Sequence, residues 1–186
     1  MPLLKAGRVT ADPWRALADD EPVPEAGAIR VSLARWQKER ATLLGRGTPL
    51  GLSLKAGQHP AALAADLEHI KLIALEFAKF TDGRAYSYAR LLRERYGYRG
   101  ELRAVGQVLR DQLPFMHRCG FDAYEIASAD AAAAWEMALA EIGVRYQPAS
   151  DGAASVAELR RARGIEATAE PASSPARGAV LCPEGT

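Results

Sequence analysis

The segment Phe80–Gly97 reads FTDGRAYSYARLLRERYG and concentrates side chains that could act on an anion. Arg84 could hold an oxyanion, because a guanidinium presents paired donors in one plane. Gly83 would let the backbone approach a ligand at the start of the following helix. Asp82 could orient that ligand or carry a proton, although Asp-Gly is also a common turn pair and Asp82 could simply cap the helix.

Three further positions of this segment belong to the candidate set. Tyr86 is a candidate catalytic residue and Ser87 a candidate hydrogen-bond donor, with core packing as the ordinary interpretation of Tyr86. Arg90 is assigned to the anion-binding set, while Arg90, Arg93 and Arg95 together are typical of a solvated basic face. These residue types suggest anion binding coupled to proton transfer.

A second segment, Gly106–Asp111, adds another acid and two more ligands. Asp111 is a candidate catalytic residue, with the N-cap of the next helix as the alternative. Gln107 and Arg110 are candidate ligands for an anion or a cofactor.

The residues after Asp111 predict a helix from about Gln112 to Cys119, followed by Gly120 as its terminating glycine. Pro114 is compatible with this helix if Asp111 is the N-cap. The reason is that the first residues of a helix have no intrahelical partners for their N–H groups.

Positive charge is concentrated around these segments. Eight arginines lie between Arg84 and Arg118 against three acids, Glu94, Glu101 and Asp111, which gives this stretch a net charge of +5. The whole chain carries only +1, so the rest carries −4. A local basic field favours an anionic partner such as sulfite, phosphate, a nucleotide or an acidic protein.

The composition is that of an ordinary soluble globular protein. Of 186 residues, 48% are apolar and 25% are charged, which suits one domain with a buried core. The two cysteines, Cys119 and Cys182, predict no disulfide framework and favour a reducing cytoplasm. No apolar run approaches the ~18 residues of a membrane span and no signal peptide is predicted, so we expect a cytoplasmic protein without a membrane partner.

Short apolar runs recur along the chain and predict strands. They begin at residues 29, 50, 71, 101 and 122 and read IRVSL, LGLSL, KLIALEF, ELRAVG and DAYEIA, with a weaker sixth run, GVRYQ, at 143–147. The spacing is 21 residues except for one interval of 30, and most intervals contain a segment with helical periodicity. Such repeats indicate βαβ units and a largely parallel sheet.

This α/β pattern predicts either a partial TIM-like barrel or a doubly wound open sheet, since a full barrel needs ~250 residues. Residues 1–147 form the predicted domain. Residues 1–28 are an N-terminal β appendage, in which two short apolar pieces, Ala6–Thr10 and Trp14–Leu17, could form an edge hairpin. Residues 148–186 form a predicted disordered tail with one short helix at Ser155–Arg163. In either architecture ligands bind beyond the carboxyl ends of the strands, where the loops add three more polar residues: Lys55, Ser128 and Asp130.

Several sequence motifs of known cofactor-binding and catalytic sites are absent, which narrows the reactions that the protein could catalyse. The sequence has no G-x-G-x-x-G after a strand, no P-loop, no nucleophile elbow and too few cysteines for an iron–sulfur cluster. No metal site is predicted, because His117 and Cys119 have no further candidate ligands. Nucleic-acid binding is not favoured, because Glu94 interrupts the basic helix and no recognition motif is present.

Residues 80–126 resemble a known bacterial family, domain of unknown function 934. FTDGR, YS, ARLLRERYGY, GELRAVG, VLRDQL and RCGFDA all fall in register with its members. A looser similarity covers about residues 3–146. Pro114 departs from the family, which usually has an aromatic or bulky apolar residue at that position.

The resemblance implies a function, because members of the family are described as oxidoreductases involved in sulfite reduction. That description rests on gene neighbourhood with sulfite reductase and other enzymes of sulfate assimilation. The resemblance therefore implies a role in sulfur assimilation and cysteine biosynthesis. It implies no catalytic residues, so the candidates above depend on loop position and charge.

Two functional hypotheses follow. In the first, the protein is an oxidoreductase or auxiliary protein that binds a small anion or a phosphorylated cofactor at the carboxyl edge of the sheet. The cofactor is left open, with a non-covalently bound flavin or NADPH compatible with the fold. In the second, it is a non-catalytic docking partner of sulfite reductase or its electron donor, and the face of Arg90 and Arg93 meets an acidic surface.

Overall fold

The computed structural model describes residues 2–126, 130–140, 143 and 145–164. The strands in this part are β1 (Leu3–Lys5), β2 (Arg8–Thr10), β3 (Trp14–Ala16), β4 (Ala28–Ser32), β5 (Leu50–Leu54), β6 (Ile70–Phe77), β7 (Glu101–Gly106) and β8 (Ala123–Glu125). The α-helices are α1 (Leu33–Gly45), α2 (Arg84–Arg90), α3 (Leu113–Arg118), α4 (Ala131–Ala140) and α5 (Val156–Ala162). No helix in the described part is long and apolar enough to span a membrane.

All the strands belong to one mostly parallel sheet, in the order β2-β1-β8-β7-β6-β5-β4-β3. The five predicted strands from residue 29 onward are confirmed as β4 to β8, which pair in sequence order and in parallel. The sixth prediction, residues 143–147, is wrong. Its described residues, 143 and 145–147, contribute only an isolated bridge from Arg145 to Ser155, and Tyr146 is exposed.

The sheet is curled into a half-barrel. Its two edge strands, β2 and β3, are separated in the chain only by residues 11–13. Four Cα–Cα steps reach at most about 14 Å, whereas eight flat strands would span about 34 Å at their usual spacing. The partial barrel is therefore the observed one of the two predicted architectures.

The N-terminal residues form both edges of the sheet. An edge hairpin does form, but between β1 and β2 and not between the two predicted pieces: Leu3 pairs with Thr10 across a turn at Ala6 and Gly7. Both turn residues have positive φ, 48° and 75°, which is typical of a two-residue hairpin turn. The second apolar piece, β3, does not join this hairpin but pairs in parallel with β4 at the opposite edge.

The two faces of the sheet differ in polarity because side chains alternate along each strand. The outer face is apolar and packs against the helices, with α1 contributing the buried residues Trp36 and Leu43. The fully buried strand residues of this face include Ile29, Leu52, Ile73, Leu75, Leu102 and Tyr124. The inner face carries most of the charged strand residues.

The two helices near the candidate residues differ in detail from the prediction. α2 continues into a π-helical turn, Leu91–Arg95, in which the Tyr96 amide donates to the Leu91 carbonyl at 3.1 Å. α3 follows a 3₁₀ turn at Arg110–Gln112, so the predicted N-cap role of Asp111 is wrong. The chain turns earlier, and the Gln112 side chain accepts from the Leu109 amide at 3.3 Å.

The end of α3 and the short helix of the tail follow the prediction. Pro114 lies in the first turn of α3, and Gly120 follows this helix with φ 99°. The short helix predicted in the tail is α5, capped by the Ser155 hydroxyl. Ahead of it, the Ser150 amide donates to the Arg118 carbonyl at 3.0 Å. The remaining tail, residues 165–186 with Cys182, and the candidate Ser128 lie outside the described residues.

Candidate functional site

The loops after β5, β6 and β7 meet at the carboxyl ends of these strands, and we call this surface the carboxyl rim (residues 55–59, 78–84 and 106–111). The β6 and β7 loops begin together, because the Gln107 amide donates to the Phe77 carbonyl at 2.8 Å. The β5 and β6 loops meet at Gly57, where a Cβ atom would lie 2.9 Å from Nη1 of Arg84. The structure thus brings together the loops that the sheet rule predicted.

Asp82 and Arg84 form a closed pair on this rim. Nε of Arg84 donates to Oδ1 of Asp82 at 2.9 Å and Nη2 donates to Oδ2 at 2.7 Å. The Arg84 side-chain bond, aided by the Arg84 amide, lowers the pKa of Asp82 to about 2. Asp82 is therefore a carboxylate near neutral pH, and its geometry fits an orienting role rather than proton donation.

Gly57 allows the guanidinium of Arg84 to lie against the β5 loop. The φ of Gly57 is 90°, a conformation that side chains other than glycine rarely adopt. The same loop is held by the Lys55 amide, which donates to Oε1 of Gln58 at 2.8 Å. Lys55 is exposed beside it. Nη1 of Arg84 thus packs on a loop of fixed shape, while the side chain as a whole remains 57% exposed.

Tyr86 is half-buried in an aromatic layer beneath the rim. Its ring lies 5.0 Å from that of Phe77 and 4.7 Å from that of Phe115, measured between centroids. Burial, with smaller contributions from Cys119 and Asp111, raises the pKa of Tyr86 to about 12. The phenol therefore stays protonated at neutral pH and can donate a hydrogen bond.

The other predicted site residues are spread over the surface. Ser87 is exposed on α2, and Arg90 pairs with Glu94 at 3.0 Å about 9 Å further along this helix from Arg84. Gln107, Arg110 and Asp111 are exposed on the β7 loop. The rim therefore gathers Asp82, Gly83, Arg84, Gln107, Arg110 and Asp111, while Arg90 lies away from it.

Arg93 does not belong to a solvated face, which corrects the prediction made for it. Its side chain is only 13% exposed and donates to the carbonyls of Tyr98, Gly100 and Gly120 at 2.8–2.9 Å. It also donates to Asp122 at 2.9 Å. The π-helical turn places Arg93 over the starts of β7 and β8, where it holds three chain segments together.

The inner face of the half-barrel contains a charge cluster that the sequence reasoning missed. The Arg103 side chain is 0% exposed, and its three nitrogens donate five hydrogen bonds to Asp12, Glu101 and Glu125 at 2.7–3.3 Å. Burial alone would raise the pKa of Asp12, but the bonds from Arg103 and the Trp14 amide outweigh burial and lower it.

Two further ion pairs extend this cluster. Arg30 donates to Glu125 at 2.7 Å, and Lys5 donates to Glu101 at 2.6 Å. β4 and β8 lie four strands apart, so Arg30 and Glu125 meet across the inside of the curl. Three cations and three carboxylates balance, which makes this inner charge cluster (Lys5, Asp12, Arg30, Glu101, Arg103 and Glu125) a structural element.

A polar surface lies between the inner charge cluster and the carboxyl rim. Ser53 and Glu76 are half-buried on the inner face near the carboxyl ends of β5 and β6, and neither side chain has a hydrogen-bond partner among the described residues. Because Leu54 pairs with Leu75, Lys55 adjoins Glu76 on the same face. The Ser32 hydroxyl donates to Asp19 at 2.6 Å nearby in β4.

The sequence contained a signal for these inner residues. Polar side chains occupy every second position of the predicted strands, as in Arg30 and Ser32 or in Glu101 and Arg103. That alternation indicates a second, polar face of the sheet. In the part of the chain described, no group of three or more His, Cys, Asp or Glu residues is arranged to hold a metal ion.

Comparison with known families gives one finding. Residues 51–157, more than half of the chain, match the model of a family described as bacterial protein of unknown function (DUF934). This match confirms the family that the motifs of residues 80–126 indicated. A search of curated proteins gives no match.

Proposed function

The chain belongs to the DUF934 family, and we propose that it serves assimilatory sulfite reduction by binding a small oxyanion or the phosphate of a cofactor at the carboxyl rim. It does so as an oxidoreductase, with a non-covalent flavin or NADPH, or as an auxiliary protein of the same process. The link to sulfite comes from the family resemblance. The binding site comes from the geometry of the rim.

The observation that carries this proposal is the fixed guanidinium of Arg84. Asp82 holds two of its nitrogens, Nη1 lies against the backbone of Gly57, and the side chain is still 57% exposed. A guanidinium that is already oriented loses little rotamer entropy when an anion binds. Its remaining N–H groups can then donate to an oxyanion at a smaller entropic cost than those of a free arginine, although Asp82 offsets part of the charge.

The charge of the rim also suits an oxyanion. Asp82 neutralises Arg84, so attraction over a distance must come from other residues. Lys55 and Arg110 are exposed, and no carboxylate in the described part forms an ion pair with either. Together the three rim segments contain Lys55, Lys79, Arg84 and Arg110 against Asp82 and Asp111, a net charge of +2 that favours an oxyanion such as sulfite, sulfate or phosphate.

A thermal-shift panel on the full chain tests the proposal. It contains sulfite, sulfate, phosphate, FMN, FAD, NADH and NADPH. A ligand at a hundred times its Kd adds about 2.7 kcal/mol, which raises the Tm of a domain of this size by roughly 5–10 °C. We expect a shift with sulfite or with one phosphorylated cofactor.

Two variants locate the binding. The double substitution Arg84→Ala with Arg110→Ala should remove the shift and keep the unliganded Tm within a few degrees. Arg95→Ala is the matched control, since Arg95 is an exposed arginine at the far end of the π-helical turn. A shift that survives the double substitution would exclude the rim as the site.

A docking role is the second candidate function, and exposed apolar residues at the rim favour it. Phe80, Leu109 and Phe115 are 58%, 45% and 56% exposed, on the β6 loop, the β7 loop and α3. Large apolar side chains in such positions often mark protein contacts. A partner such as sulfite reductase or its electron donor would then cover the rim, and not the face of Arg90 and Arg93.

The docking candidate has its own test. Phe80→Ser with Phe115→Ser should abolish co-purification with sulfite reductase, while Tyr146→Ser, an exposed aromatic elsewhere, should leave it intact. Retention of the complex by the first variant would rule out this surface.

A further inference from the structure

A groove runs along the opposite edge of the sheet, where the strands begin. Three concavities of about 310, 480 and 280 Å³ follow one another there. The first and second share Glu68 and Lys71, and the second and third share Arg99. We call this surface the amino-edge groove. It lies at the amino ends of the strands, opposite to the carboxyl rim.

The loop Tyr96–Gly100 forms the wall of the middle concavity and has a fixed conformation. Gly97 has φ 63°, and a Cβ at Gly100 would lie 2.2 Å from the hydroxyl of Tyr98 and 2.8 Å from the Lys71 carbonyl. Arg93 donates to the carbonyls at both Tyr98 and Gly100. These constraints explain the sequence YGYRG, which the rim does not use, and they hold Arg99 in a defined position.

The middle concavity combines two cations with apolar side chains. β6 and β7 are paired at Leu72 and Glu101, which places Lys71 beside Gly100 and next to Arg99. Arg99 is exposed and has no side-chain partner among the residues described, and Lys71 donates only to the Glu68 carbonyl, at 3.4 Å. Half-buried Leu67 and Tyr96 provide the apolar part of the lining.

The acids near the middle concavity do not cancel these cations, since Asp122 and Asp151 of the third concavity pair with Arg93 and Arg118. Glu68 is 78% exposed, and its carboxylate lies 3.3 Å from the ring of His69 rather than against Lys71. A bound anion therefore meets two adjacent positive charges at the mouth. A volume of 480 Å³ is within the usual range for small-molecule sites, which are mainly apolar with a few convergent polar groups.

We infer that the amino-edge groove binds a ligand of the nucleotide type. Its planar ring would pack on Tyr96 and Leu67, and its phosphates would be held by Lys71 and Arg99. A nucleotide is commonly bound by two kinds of contact. Its base stacks on an aromatic side chain, here Tyr96, and its phosphates bind cationic groups, here the ammonium of Lys71 and the guanidinium of Arg99. This site is separate from the anion site proposed at the carboxyl rim and does not depend on it.

Calorimetric titration of the full chain with ADP at low salt tests this inference, with pyrophosphate and adenosine as partial probes. Lys71→Ala and Arg99→Ala should each weaken ADP and pyrophosphate binding about tenfold. Tyr96→Leu should weaken ADP and adenosine but leave pyrophosphate unchanged. Because Lys71 and Arg99 are exposed, their variants should melt like the wild type.

Variants at the other edge distinguish the two sites. The double substitution Arg84→Ala with Arg110→Ala should leave ADP binding unchanged, and so should Arg95→Ala. The inference is overturned if the wild type does not bind ADP at millimolar concentration, or if Lys71→Ala and Arg99→Ala bind it normally. Loss of ADP binding only in the Arg84 and Arg110 variant would assign the nucleotide to the carboxyl rim.

Discussion

Removal of Arg103 is expected to be the most damaging single charge change in the protein. Its guanidinium is fully buried and is the only cation bonded to Asp12 in the described part, while it shares Glu101 with Lys5 and Glu125 with Arg30. Arg103→Ala leaves these carboxylates in the half-barrel with too few donors. It also detaches the linker of residues 11–13, which joins the two edges of the sheet.

The size of this effect follows from burial. Breaking a buried ion pair by removing one partner costs about 3–5 kcal/mol, because the remaining charge stays desolvated. The side chains of Glu101 and Glu125 are only 9% and 18% exposed, so water cannot replace Arg103 there. For a domain of this size the loss corresponds to a decrease in Tm of roughly 6–20 °C. Arg103→Lys keeps the positive charge but lacks the planar guanidinium, so its Tm should lie between those of the wild type and Arg103→Ala.

Chemical denaturation of the three proteins, from pH 8 down to below the ordinary pKa of Asp12, 3.8, measures the effect. The pKa of Asp12 is lowered in the wild type, so the stability it contributes is present above its ordinary value of 3.8 and is lost as the pH falls. In Arg103→Ala the deficit should be largest at neutral pH and shrink toward pH 4, because protonation removes the unpaired charges. A deficit below about 1 kcal/mol, or one independent of pH, would refute the assignment of the cluster as a structural element.

Three further predictions concern single side chains. Gly57→Ala should weaken sulfite binding several-fold, because the added Cβ would displace Arg84. Gly27→Ala is the control: Gly27 has the same φ of 90° but no neighbour within 4 Å, so this variant should lose a similar amount of stability and still bind sulfite. Equal sulfite binding by the two variants would contradict this prediction. Burial raises the pKa of Cys119 to about 11, so in a Cys182→Ser background its thiol should react with a disulfide reagent only after denaturation, and rapid reaction of the native protein would be inconsistent with burial. The pKa of Tyr86 is raised to about 12, so the stability that its neutral form contributes is complete below pH 10 and is lost as the pH rises toward 12. Tyr86→Phe should reduce this loss of stability at alkaline pH, as measured by denaturation across that range.

The sequence allowed the parallel strands to be predicted because each is a short apolar run at a regular spacing. β4 to β8 therefore begin within one residue of the predicted positions. The curl could not be predicted, since it depends on the pairing of β1 with β8 and of β3 with β4 at opposite edges. The pairing of β1 with β8 joins residues at opposite ends of the domain, such as Leu3 and Glu125, and three-residue strands such as β1, β3 and β8 carry too little pattern to reveal their partners.

The candidate site was predictable only where it follows from the topology. The carboxyl ends of parallel strands share one edge, so the loops of Asp82, Arg84 and Arg110 could be placed together. The partners of each arginine could not be deduced, because they depend on tertiary contacts. Arg93 and Arg103 counted toward a basic field in the sequence, yet in the structure both are bonded to internal acceptors.

The most direct test of the proposed function is calorimetric titration of sulfite into the wild type and into the Arg84→Ala, Arg110→Ala double variant, at low ionic strength with Arg95→Ala as the control. We expect saturable binding by the wild type and the control, and at least a tenfold loss of affinity in the double variant at an unchanged Tm. Equal affinity in all three proteins, or no binding by the wild type, would contradict an anion site at the carboxyl rim.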